Sequence, residues 1–300
     1  MLANGVGGGM SYLVGPYLVP DDFINATKTI NGFHNSSNAE TSVVEVRYRI
    51  WWYMVEQAIV SVVLFISVVL YFPSKPNFPP SVSASASDAK KVEIIRSVKN
   101  MLLDKDIVLC IVGFTISTGV QCAWQGVMTL SFEPLGISDK ECGNIGALLS
   151  FVSIIPALLI PMVMDKIRKQ FKVALIAVLT VSTGCYIWLT LIIVKVIPFN
   201  WIQLYVSTII AGSSLSVLMP LYFEYAAEIS YPVSEGVIGS LLSTMFNVSA
   251  LIFFSLFFIK NIGSMWMNYL VCASSAFAIL LLMFTKGQYK RSELETALLK

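Results

Sequence analysis

The sequence predicts an all-α protein that crosses a membrane several times, and three observations carry that prediction. The chain of 300 residues is 56% hydrophobic and only 13% charged, with a mean hydropathy of +0.75, which is not the composition of a water-exposed domain. Its apolar residues gather in blocks long enough to cross a hydrocarbon core of about 30 Å, which takes roughly 20 residues of helix. The loops between those blocks alternate between rich and poor in Lys and Arg, as successive crossings require. Inside lipid a backbone must satisfy its own hydrogen bonds, and blocks of this length do so as helices.

The first twenty residues, Met1–Pro20, are glycine-rich and have neither a basic leader nor a cleavage pattern, so they do not read as a signal peptide. They are expected to be the second half of a transmembrane helix, a partial span that implies a truncated chain. The loop 21–50 follows, with glycosylation sequons at Asn25 and Asn35. His34, the lone histidine, reads there as an ordinary exposed side chain. A full span is expected at 51–72, which completes a first helical group over 1–72. Residues 73–106 open with PSKPNFPPSVSASAS and read as a cytoplasmic linker. Six further spans, at 107–130, 142–164, 173–196, 201–223, 236–259 and 264–285, make a six-helix half over 107–285. Residues 286–300 form a tail.

Basic residues favour the cytoplasmic side. The linker carries Lys75, Lys90, Lys91, Arg96, Lys99 and Lys105, the short loop 165–172 carries Lys166, Arg168, Lys169 and Lys172, and the tail carries Lys286, Lys290, Arg291 and Lys300. Seven crossings then place the tail in the cytoplasm and loop 21–50 on the far side, where glycans are added. A third sequon, at Asn247, lies inside a span and should stay unmodified. The five cysteines have no metal-ligand spacing and read as small packing residues. No metal or other cofactor, no nucleic acid and no catalytic constellation is implied, so the protein is not expected to be an enzyme. The expected partners are a small-molecule solute and the lipid bilayer.

Polar residues inside the spans are the candidate working parts. In the 107–130 helix Thr118, Gln121 and Gln125 share a face, with Trp124 beside them. Interhelical hydrogen bonding would explain that stripe. Lining a central cavity is the preferred reading, with the Trp124 indole offering a surface for a planar or cationic ligand. The 236–259 helix repeats the pattern with Ser240, Ser243, Thr244 and Asn247, of which Asn247 is the strongest candidate. In the 201–223 helix the small residues Gly212, Ser213, Ser214 and Ser216 precede Pro220, where a structural kink is the preferred account.

A second constellation sits at the helix ends. Glu224 and Glu228 are four apart on one face, and repel unless a cation lies between them. Glu235 opens the next helix, where the helix dipole favours a carboxylate. Asp165, Arg168 and Lys169 lie in the basic loop on the same side, so the six residues together read as a cytoplasmic gate. PMVMDKIRKQFK in that loop resembles the cytoplasmic signature of the major facilitator superfamily, GxxxDRxGRR. Asp165 takes the acidic place and Arg168 and Lys169 the basic ones, while Pro161 and Lys166 depart from the pattern. Ordinary positive-inside loop charge is the alternative reading.

The stretch FEYAAEISYPVSEG, Phe223 to Gly236, resembles the hallmark of solute carrier family 49, the feline leukaemia virus subgroup C receptor-related transporters. GGGMSYLVGPYLVP, YFPSKPNFPPSV and GVQCAWQGV resemble the disrupted-in-renal-carcinoma 2 type within that family. The resemblance covers nearly the whole chain. It implies a major facilitator bundle, here from the end of helix 5 through helix 12, that moves small organic solutes by alternating access. It further implies a pyridoxine-like or choline-like nutrient, proton coupling, and residence in a lysosomal or plasma membrane. Leu298-Leu299 in the tail has Leu294 where an acidic dileucine sorting signal has an acid. The expected function is secondary transport of such a solute; the alternative is a truncated, non-transporting isoform that partners a full-length copy of itself.

Overall fold

Polar residues at the edges of the apolar blocks fix where the helices begin. In the computed structural model, which describes residues 2–18, 36–71, 101–166, 170–287 and 289–292, Asp104 caps the first helix after the linker by accepting the amide of Asp106 at 3.0 Å. Asn200 caps a later one, accepting the amide of Ile202 at 2.9 Å. In both, a short polar side chain satisfies an amide that the helix start leaves orphaned.

The described helices are α1 (Leu2–Leu18), α2 (Ser36–Tyr71), α3 (Lys105–Gly126), α4 (Met128–Phe132), α5 (Asp139–Lys166), α6 (Phe171–Ile193), α7 (Trp201–Ser230), α8 (Glu235–Ser255) and α9 (Trp266–Phe284). Two 3-10 turns, Glu133–Leu135 and Leu256–Phe258, complete the described elements. Among the described residues seven helices, α2, α3 and α5 to α9, are long and apolar enough to cross a membrane. The protein is an all-α, polytopic bundle.

The boundaries depart from hydropathy in three places. Helix α2 starts at Ser36, inside the expected loop 21–50, because hydropathy marks where a helix is apolar rather than where it begins. Helix α3 stops at Gly126 instead of running to 130. Val127 leaves the helical region at φ −122, ψ 24, and the short α4 turns aside to bury Met128, Ser131 and Phe132. Helix α7 continues past 223 to Ser230, without ending at Pro220. At 1.5 Å per residue its 30 residues span about 45 Å, well beyond a hydrocarbon core of about 30 Å.

Packing divides α3 and α5 to α9 into layers along the membrane normal. One apolar core gathers Phe114, Leu175, Leu218, Tyr222, Tyr225, Leu242 and Leu282. Phe114 meets the Tyr222 ring edge-on at 5.4 Å and the Phe223 ring at 5.7 Å, contacts worth about 0.5–1.5 kcal/mol beyond their buried area. The second core, towards the opposite end, gathers Trp124, Phe132, Ile145, Tyr186, Leu204, Phe253 and Met267. Between them lies a buried polar layer of Gln121, Ser182, Ser214 and Ser275.

Helix α1 packs on α5 through glycines set opposite large side chains. A Cβ added at Gly9 would stand 2.9 Å from the Phe151 ring, one at Gly5 2.9 Å from Ile154, and one at Gly146 2.5 Å from the Tyr12 ring. Helix α2 is exposed along its described apolar length save for half-buried Tyr53 and Val55. That surface suits contact with lipid. Trp51 and Trp52 meet edge-on near the start of its apolar stretch, and Trp201 and Trp266 lie at the starts of α7 and α9. Trp201 and Trp266 follow loops poor in Lys and Arg and sit where their helices begin, as expected of an aromatic belt.

Candidate functional site

Helix α8 has two opposed faces. Its buried residues, Ile238, Leu242, Ser249 and Phe253, follow helical spacing on the side packed against α3 and α7. Ser240, Ser243, Thr244 and Asn247 follow the same spacing on the opposite side and are exposed. Thr244 Oγ1 donates to the Ser240 carbonyl at 2.8 Å, and Asn247 Nδ2 to the Ser243 carbonyl at 2.7 Å. Each thus returns a donor to its own helix while the side chains themselves stay exposed. Further along this face Leu251 and Phe254 take over. The polar stripe therefore occupies only the part of the helix nearer the basic end.

The stripe on α3 is arranged differently. Gln121 and Trp124 are wholly buried, inside the bundle and not on an open wall as expected from sequence. Gln121 Nε2 donates to Ser275 Oγ at 3.0 Å and reaches Ser182 Oγ at 3.5 Å, while its Oε1 accepts from Ser214 Oγ at 3.4 Å. Trp124 Nε1 donates to Asn268 Oδ1 at 2.9 Å, and Ser131 Oγ donates to the same oxygen at 2.6 Å. Thr118 is turned back onto the Phe114 carbonyl at 2.6 Å. Interhelical bonding, the less favoured reading of the sequence, is what occupies Gln121 and Trp124. Gln125 is only half-buried. It donates through Nε2 to the Gly212 carbonyl at 3.0 Å, and its own carbonyl accepts from the Tyr12 hydroxyl at 2.8 Å. It thereby joins α1, α3 and α7. Gly212 is required there, since a Cβ at that position would run into Leu149 of α5.

The basic end of the bundle holds the second constellation. Glu224 is exposed and Glu228 buried, although they are four residues apart on α7. The difference comes from the tail. Gly287, at φ +66, turns the chain back after α9 in a conformation that a side chain disfavours. Tyr289 then lodges against Phe171 and Tyr225, with ring centroids 6.3 and 6.2 Å away, and its hydroxyl accepts the Lys172 amide at 3.2 Å. Burial pushes that hydroxyl above its ordinary pKa, against the opposing effect of the Lys172 amide. Lys290 pairs with Asp104 at 3.0 Å and Arg291 with Glu235 at 2.7 Å. Ser292 gives both its amide, at 3.0 Å, and its hydroxyl, at 2.8 Å, to the Glu228 carboxylate. Partial burial acts to raise the Asp104 pKa, but the Lys290 bond and charge and the Asp106 amide outweigh it and hold the carboxyl below its ordinary value.

The described partners of Glu228 and Glu235 are thus in the tail. Asp165 ends α5 without a described side chain; Arg168 and Lys169 lie outside the described residues, as do Asn25 and Asn35. Sequence reasoning missed Asn268, the tail residues and Glu56. Asn268 was findable by the argument that singled out Asn247, an amide inside an apolar span. Glu56, a carboxylate inside the apolar span of α2, was findable likewise. The tail carried no such signal, because a short run of charges at a chain end looks solvated.

No family model matches the chain. Among curated proteins it is 26% identical, over 97% of its length, to the solute carrier family 49 member 4 homolog of Xenopus tropicalis. It is also 26% identical, over 77% of its length, to the rat choline/ethanolamine transporter FLVCR2. The chain is a relative of the solute carrier 49 transporters. It is similar too, at 26% identity over 71% of its length, to an uncharacterized MFS-type transporter of Caenorhabditis elegans, C09D4.1, and its all-helical bundle with seven membrane-length helices is consistent with that type. This solute carrier 49 relative spans 62% of the frog protein, 43% of the rat protein and 36% of the nematode protein. All three are named as transporters, none as an enzyme.

Proposed function

We propose that the protein acts as a secondary transporter of a small organic solute by alternating access, with Thr244 and Asn247 of α8 and Gln125 of α3 on the wall of the solute path. The carrying observation is the polar face of α8, set opposite the face by which that helix packs. An exposed amide and three exposed hydroxyls are poorly tolerated in hydrocarbon, so such a face belongs against water, solute or another part of a transporter. Gln121 and Trp124 support the wall from behind through their bonds to α6, α7 and α9.

The rat relative's name, with choline and ethanolamine in it, supports a small organic cation. A wall of amide and hydroxyl groups also suits a neutral nutrient such as pyridoxine. In this reading the basic end faces the cytoplasm, Asp165, Arg168, Lys169, Glu224, Glu228 and Glu235 form the gate there, and Asn25 and Asn35 carry glycans on the other side. The membrane is that of the lysosome or the cell surface.

Uptake of labelled choline and pyridoxine by cells expressing the protein tests this. Asn247→Leu and Thr244→Val should each lower uptake by about tenfold, the loss of roughly one solute hydrogen bond. The amount of protein in the membrane should not change, because both side chains are exposed. Uptake equal to wild type in both variants would remove α8 from the path. Proton drive is part of the same proposal, with Glu56 as the group to test: Glu56→Gln should abolish any dependence of uptake on a pH gradient.

A further inference from the structure

The proposed path does not account for the buried pairing of Ser292 with Glu228. Residues 289–292 cross the basic end and tie together the starts of α3, α6 and α8 and the end of α7. The ties are Asp104 to Lys290, Lys172 to Tyr289, Glu235 to Arg291 and Glu228 to Ser292. Ser292 is 7% exposed and Glu228 7% exposed. The hydroxyl is held as a donor by a carboxylate that can only accept.

We propose that this segment is a detachable clasp and that Ser292 is a phosphorylation site which, once modified, traps the clasp open. While docked, the hydroxyl is out of reach of an enzyme, so modification must follow spontaneous release. On the released tail the Ser292 oxygen attacks the γ-phosphorus of ATP held by a protein kinase. A new O–P bond forms, the bond to the β-phosphate oxygen breaks, ADP leaves with that electron pair, and the hydroxyl proton passes to the kinase's base. The product carries about −1.5 to −2 charge where a donor stood. It can no longer give Glu228 a proton to share, and redocking would press it against that carboxylate with Glu235 close in the chain. Lys290 and Arg291, the cations beside it in sequence, are already paired with Asp104 and Glu235. Glu293 and Glu295, one and three residues downstream, give the site the acidic flank that acid-directed serine kinases select. The inference rests on the cytoplasmic placement of the basic end, because ATP and kinases are there.

The test needs no solute, so a failed transport assay leaves it intact. The whole protein in lipid nanodiscs is treated with trypsin, and cleavage after Lys286, five residues clear of the altered position, is timed by mass spectrometry as the appearance of fragments that begin at Gly287. Ser292→Asp should speed cleavage by about tenfold or more, since it replaces a charge-assisted bond by repulsion. Ser292→Ala, which keeps the backbone amide on Glu228, should speed it by only about two- to threefold. Adding Glu228→Gln to Ser292→Asp should bring the rate back towards wild type, a reversal that general misfolding would not give. Incubation with ATP and an acid-directed kinase should label Ser292 and raise the cleavage rate of the labelled fraction as Ser292→Asp does. The clasp is overturned if Ser292→Asp is cleaved there no faster than wild type. The modification is overturned if Ser292 stays unlabelled in a protein carrying Asp104→Ala, Glu228→Ala and Glu235→Ala, which lacks the carboxylates that tie the tail to α3, α7 and α8.

Discussion

Asn268 makes one oxygen serve two donors from two other helices. Its Oδ1 takes the Trp124 indole and the Ser131 hydroxyl, so α3, α4 and α9 meet at a single acceptor. Trp124→Phe keeps the ring in its place against Tyr186 and Phe132 but removes one donor. A stability loss of about 1–2 kcal/mol is expected, read as a lower melting temperature of the purified protein, with Asn268→Leu worse because it strands both donors. At the other end the Asp104–Lys290 pair has a definite sign with pH. The Asp104 carboxyl is held below the ordinary value of 3.8, so its contribution is present above that value. It is lost as the pH falls from there through the lower folded value. Both side chains are more than a third exposed, so the contribution is small. Tail release in the trypsin assay should therefore show no step from this pair between neutral pH and pH 5.

Helices α3 and α8 show what a hydropathy pattern conveys and what it leaves out. Both carry polar stripes at helical spacing, and both were legible as such. The direction each stripe faces depends on neighbours that a linear pattern does not contain. Gln121 finds Ser182, Ser214 and Ser275, near the middles of three separate later helices, whereas exposed Asn247 bonds back to Ser243 of its own helix. The small residue at Gly119 marks how closely these two helices approach: an added Cβ would lie 2.6 Å from the Ser249 Cβ. Gly119→Val should part α3 from α8 at a cost of about 1–3 kcal/mol, visible as reduced thermal stability, while Gly184→Ala, which meets open space, should change little. The Ser292–Glu228 pair was beyond the reach of sequence for a related reason. Glu228 was recognised as a carboxylate needing a partner, but the nearest basic loop was the natural candidate, and the partner proved to be a neutral hydroxyl and an amide sixty-four residues away.

At the scale of the whole molecule, the spans follow from apolar length, and the tryptophans at the starts of α7 and α9 lie where those spans end. The layered interior explains how such a bundle tolerates polar groups at its centre. Gln121 and the serines around it satisfy one another across helices, so their layer joins the two apolar cores. The meshing of α1 with α5 has a mechanical consequence. Phe151 and Ile154 each occupy the space over a glycine on the facing helix, and Tyr12 occupies the space over Gly146. Displacing either helix along its axis would drive these side chains out of their notches and into the neighbouring residues. The three notches are spread along about 10 Å of α1, so the pair is keyed in register as a rack is to its teeth and resists sliding.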